Sequence, residues 1–83
     1  MPVVATVDGV SILFYANEHP PPHFHARIAE FRAVIDIDEL RVTHGSLPVA
    51  KRRHVLAWAS TRQASLRAAF KLSSGHGKVG DLT

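Results

Sequence analysis

Apolar and polar positions alternate along the first half of the chain and recur at helical spacing along the second. Residues 3–7 (Val3-Val4-Ala5-Thr6-Val7) are rich in β-branched side chains and read as a strand. Asp8-Gly9 is a two-residue hairpin signal of the I′ kind, and residues 10–16 return as a second strand. In that strand Val10, Ile12 and Phe14 share one face, while Ser11, Leu13 and Tyr15 share the other, so part of the second face is covered too. Residues 23–28 place Phe24, Ala26 and Ile28 opposite to His23, His25 and Arg27. Residues 31–37 place Phe31, Ala33, Ile35 and Ile37 on one face, with Arg32, Val34 and Asp36 on the other. A two-residue turn at Ala29-Glu30 pairs Phe24 with Ile35, Ala26 with Ala33 and Ile28 with Phe31, which gathers every apolar pair on one face. The same register sets His23 opposite Asp36 and His25 opposite Val34.

Glu39-Leu40 turns the chain into a short strand, Arg41-Val42-Thr43-His44. Gly45-Ser46-Leu47-Pro48 reads as a helix start, with Ser46 as N-cap and Pro48 in the first turn. From there to Leu72 the spacing predicts one helix. Val55, Ala59, Leu66 and Phe70 form its buried stripe, Leu56 and Trp58 flank it, and Arg53, Ser60, Thr61 and Ser65 face outward. Ser73-Ser74-Gly75 ends it. The expected architecture is α+β: an antiparallel meander of four to five strands, then one long C-terminal helix packed on the sheet. Residues 1–72 form a single domain and 73–83 a flexible tail.

Composition narrows the class. The 83 residues include no cysteine, which removes disulfides, thiolate metal sites and a cysteine nucleophile. No apolar run is long enough to cross a bilayer, and the first residues carry no basic leader, so a soluble cytoplasmic protein is expected with no membrane partner. A net charge of +3 favours an acidic partner, nucleic acid or protein. A domain this small without staples often relies on a partner or on homo-oligomerisation.

The densest chemistry lies at Asn17-Glu18-His19-Pro20-Pro21-Pro22-His23-Phe24-His25, which holds three of the six histidines. Three consecutive prolines stiffen the backbone between them in an extended form. The spacing admits three readings. His19, His23 and His25 make a three-imidazole zinc site with Asp36 or Glu18 as a fourth ligand. Alternatively they do acid–base chemistry without metal, with Asp36 orienting His23 and Arg27 or Arg32 holding a phosphate. In the third, they pack a proline-rich crossing and form a partner-binding surface. Lys51-Arg52-Arg53-His54 opens the helix, the end where the macrodipole disfavours positive charge. With Arg62, Arg67 and Lys71 it makes a basic face, and Lys51, Arg52 and Arg53 are the candidate phosphate contacts on nucleic acid. Asp36-Ile37-Asp38-Glu39 is acidic enough to bind a cation or to neutralise Arg27, Arg32 and Arg41. No phosphate-binding glycine loop, nucleophile elbow or helix-turn-helix pattern is present.

Over residues 1–72 the chain resembles the DUF4160 family of small bacterial domains of unknown function. The resemblance is carried by Phe14-Tyr15-Ala16-Asn17-Glu18-His19-Pro20-Pro21-Pro22-His23-Phe24-His25, by Ala33-Val34-Ile35-Asp36-Ile37, by Gly45-Ser46-Leu47-Pro48 and by Trp58. It implies one half of a two-gene cassette in the style of a toxin–antitoxin pair, with a cognate small antitoxin-like protein as partner. It supplies no catalytic residues, and the basic helix here departs from the acidic pattern common in such chains. The sequence thus leads to a toxin-like protein that cleaves RNA without metal or other cofactor. His19, His23, His25, Asp36 and Arg27 are the candidate catalytic residues: His23 or His25 acts as general base or acid, Asp36 orients His23, and Arg27 stabilises the phosphate. The alternatives are a non-catalytic protein- or nucleic-acid-binding module and a small zinc-binding protein.

Overall fold

Each strand pairs with the one before it in sequence, so the order across the sheet is the order along the chain. The structure is a computed structural model and describes residues 3–74. The elements are β1 (Val3–Val7), β2 (Val10–Leu13), β3 (His23–Ile28), β4 (Phe31–Asp36), β5 (Arg41–Gly45), α1 (Val49–Ser60) and α2 (Gln63–Ser74). All four strand pairings are antiparallel, which gives the expected meander with five strands. At the β1–β2 turn Asp8 and Gly9 both adopt positive φ, 50° and 80°, as a I′ turn requires. The β3–β4 register is the one that alternation demands: Phe24 faces Ile35, Ala26 faces Ala33, and His23 faces Asp36. Ala29 takes φ 51° to make that turn without a glycine. The second strand ends at Leu13 rather than at 16, because the chain leaves the sheet through Asn17, at φ 63°, toward the prolines.

The long helix is two helices, a correction with a local cause. The Arg62 N–H bonds the Ala59 carbonyl at 2.9 Å, an i−3 closure, and so leaves the Trp58 carbonyl free. The Thr61 hydroxyl and the Arg62 guanidinium take that carbonyl instead, at 3.2 and 3.0 Å. The Ser60 hydroxyl likewise donates to Ala57 at 2.7 Å. Side chains that compete for helix carbonyls break the ladder at 61–62. Gln63 then donates to the Ile37 carbonyl at 2.9 Å and Arg67 pairs with Asp38 at 2.7 Å, which pins the start of α2 to the β4–β5 turn. Ser46 is not the N-cap either. A proline disfavours helical backbone in the residue before it, so the helix starts after Pro48. Pro48 is itself the N-cap and accepts from the Arg52 N–H at 2.8 Å. The Ser46 N–H turns back to the Arg32 carbonyl.

The helices cover the sheet face that carries Phe24, Ala26, Ala33 and Ile35. Val55, Ala59, Leu66 and Phe70 are buried there as the stripe predicts, and Phe24 meets the Trp58 ring edge-on. α2 continues past Leu72 to Ser74, and Ser73 is buried with its hydroxyl on the Phe70 carbonyl. The remainder of the expected tail, 75–83, lies outside the described residues. No described helix is long and apolar enough to cross a membrane. The opposite sheet face carries His25, Arg27, Arg32 and Val34, and among the described residues no helix lies on it. Leu13 on that side is nonetheless fully buried, 0% exposed, apart from the main core.

Candidate functional site

The site is built on one strand and the connector that feeds it. Alternation on β3 turns His25 and Arg27 away from the helices, and Pro22 ties the strand start to β4 by accepting from the Ile37 N–H at 3.1 Å. The Pro20–Pro21 peptide in that connector is cis. The connector brings Glu18 over β3. Its Oε1 hydrogen-bonds His25 Nε2 and stands 3.3 Å from His23 Nε2. The second nitrogen of His23, Nδ1, bonds the Pro21 carbonyl at 2.8 Å.

These partners decide the protons. A backbone carbonyl only accepts, so His23 Nδ1 carries hydrogen, and when Nε2 is protonated as well the ring donates to Glu18. The Glu18 carboxylate also only accepts, so His25 Nε2 carries hydrogen, and in the neutral ring the lone pair is on Nδ1. Partial burial disfavours ionisation of Glu18, but the hydrogen bonds from His25 and His23 outweigh it and hold the carboxyl below the usual glutamate range. Aromatic neighbours fix the rings: Tyr15 stands edge-on to His25 at 4.3 Å between centroids, and Phe70 lies 5.0 Å from His23.

Of the residues predicted from sequence, His23, His25 and Arg27 share the region and Glu18 joins them. His19 is exposed and is not in the cluster of donor atoms, which among the described residues is Glu18, His23 and His25. Asp36 sits opposite His23 in the register but does not orient it. Its Oδ1 accepts the Glu39 N–H at 2.7 Å and closes the β4–β5 turn. A hollow of about 380 Å³ lies beside Glu18, His23 and Asp36. A second cavity of about 270 Å³ is lined by Tyr15, Arg27 and Arg32, and the two share His25, Val34 and His44. Together they form a groove across the open face. Arg27 and Arg32 are direct cross-strand partners, and neither has a carboxylate at ion-pair distance among the described residues. Like charges so placed repel, which leaves the pair open to an anion.

A family model for a domain of unknown function, DUF4160, matches residues 9–71. The chain belongs to the DUF4160 family. Comparison of this DUF4160 chain with curated proteins and with solved structures gives no match.

The basic start of α1 lies away from the groove, on the helix layer. Lys51 Nζ donates to the Asp8 carbonyl at 2.8 Å and pairs with its carboxylate at 3.2 Å, and His54 Nδ1 meets Asp8 Oδ2 at 2.6 Å. These contacts fasten α1 to the β1–β2 turn, and the Asp8 carboxylate supplies the negative charge that the helix start lacks. Arg52 and Arg53 are exposed. Sequence reasoning missed Tyr15 and His44 as groove residues. Tyr15 was signalled only by the apolar second face of its strand, and His44 only by its place on β5.

Proposed function

We propose that this chain is the toxin-like half of a bacterial two-gene module and cleaves RNA phosphodiesters in the cytoplasm without a metal. The observation that carries this is the Glu18 carboxylate set between His23 and His25 on a face that also presents two arginines without an ion-pair partner among the described residues. His25 Nδ1 takes the proton of a ribose 2′-hydroxyl as the 2′-oxygen bonds to phosphorus. His23 Nε2 gives its proton to the departing 5′-oxygen as that bond breaks. The products are a 2′,3′-cyclic phosphate and a 5′-hydroxyl end. Arg27 and Arg32 stabilise charge on the phosphate, and Glu18 orients both rings. The two-gene setting implied by the family resemblance supports the toxin role, and a small protein that covers the groove is the partner to expect.

General acid–base catalysis is typically worth 10²–10⁴-fold. His23→Ala and His25→Ala should each lower RNA cleavage by about that factor and relieve growth arrest when the chain is expressed alone. The check is a cleavage assay on purified parent and variants, with far-UV circular dichroism to show that both variants fold. A folded double variant that still cleaves RNA or arrests growth would refute the reading. Parent protein that binds RNA without cleaving it would leave a binding module.

A further inference from the structure

We infer that Glu18, His23 and His25 also form a binding site for one divalent transition-metal ion of the zinc type, and that an ion held there silences the cleavage proposed above. The donor atoms of the three side chains lie within 4.8 Å of one another. His23 Nε2 and Glu18 Oε1 are 3.3 Å apart. Two ligands on a tetrahedral zinc, each about 2.0–2.1 Å from the ion, stand roughly 3.3 Å apart, so this pair needs almost no movement. The hydrogen bond from His23 Nδ1 to the Pro21 carbonyl, at 2.8 Å, is the outer-shell contact that fixes a ligating histidine with its other nitrogen turned inward. Phe70 and Tyr15 hold the two imidazole planes from the side.

The donor set selects the ion. Two imidazoles and one carboxylate suit zinc, copper, nickel or iron(II) better than magnesium or calcium, which take oxygen ligands. Three protein ligands leave a position open to the adjoining hollow, which also gives the ion a route in. The link to cleavage rests on the preceding reading. An ion on His23 Nε2 occupies the lone pair that must carry the departing group's proton, so the acid is lost while the fold is unchanged.

The test uses the full chain freed of metal with a chelator, then titrated with zinc sulfate by calorimetry and by thermal melting, with magnesium in parallel. One zinc per chain, a melting temperature that rises with zinc concentration, and no response to magnesium are expected. His23→Ala and Glu18→Gln should weaken zinc binding by at least about tenfold, whereas His19→Ala should leave it unchanged. Parent that takes up zinc no better than a folded His23→Ala/His25→Ala variant overturns the site. The two proposals fail separately. Chelated parent that cleaves RNA but ignores zinc removes the metal site and keeps the nuclease. Zinc bound by a protein that never cleaves RNA keeps the site and removes the nuclease and its inhibition. Cleavage that rises with zinc overturns the inhibition.

Discussion

Of the two described glycines, Gly45 is the one with no room for a Cβ. It closes β5 with φ +73°, opposite Ala33 on β4. A Cβ built there lies 2.1 Å from the Arg32 carbonyl oxygen, 3.0 Å from its carbon and 3.2 Å from the Ala33 Cα. All three are backbone atoms, so no rotamer change relieves the contact. Gly45→Ala therefore combines the left-handed penalty of about 1–2 kcal/mol with overpacking of about 1–3 kcal/mol. Parting the strands also weakens the bond from the Ser46 N–H to the Arg32 carbonyl, now 2.9 Å, worth about 1 kcal/mol. The loss should total about 3–6 kcal/mol, a large share of the roughly 5–15 kcal/mol of a typical domain. Gly9→Ala is the matched control: φ is +80°, but the nearest atom is Ile28 Cδ1 at an ordinary 3.6 Å. It should lose only the conformational part, about 1–2 kcal/mol. Urea unfolding of the parent and both variants, followed by circular dichroism, measures the difference. Equal losses at the two positions would refute the clash and the close β4–β5 approach behind it.

Three more outcomes follow from particular contacts. Hydrogen bonds from His54 and then Lys51 hold the exposed Asp8 carboxyl below the usual aspartate range. Its contribution to stability is complete above the unfolded value, near pH 4, and fades as pH falls through the lower native value. Asp8→Asn should thus lose stability at pH 6 and show a flatter decline between pH 4 and pH 2, read from urea midpoints. Asp36→Asn should keep most RNA cleavage while lowering stability by about 1 kcal/mol, because the carboxyl closes a turn; Glu18→Gln should do the reverse, and a swapped pattern would restore Asp36 as the orienting group. Arg32→Ala should weaken phosphate-dependent RNA binding without changing the melting temperature downward, since it removes repulsion against Arg27.

The β3–β4 hairpin was fully legible because its alternation leaves one register that puts each apolar pair on the same face. His23, His25 and Arg27 came with it, since a period of two decides which way a strand residue points. The carboxylate partner was legible only in part, because Glu18 stood beside Asp36 as a possible zinc ligand while the orienting role went to Asp36. Register sets Asp36 beside His23, but the Asp36 side chain finds a nearer donor in the Glu39 N–H, while Glu18 reaches the histidines through a connector with no periodicity to read. The break at 61–62 was hidden for a similar reason. Apolar spacing runs through it, and only competition for the Trp58 carbonyl and the docking of Gln63 on Ile37 decide it. The misplaced N-cap was readable after all, because Pro48 alone excludes helical backbone at Leu47.

The meander has a kinetic consequence. Every strand closes on its predecessor across the connectors 8–9, 14–22, 29–30 and 37–40, so each pairing costs only the entropy of a short loop. Folds dominated by such local pairings reach the native state quickly. The whole sheet, with Glu18, His23 and His25 in place, uses nothing beyond residue 45 for its strand pairing. On a ribosome the strand pairings can therefore form while the helical half is still being made, and the helices arrive afterwards to close over the apolar side and to set Phe70 against His23.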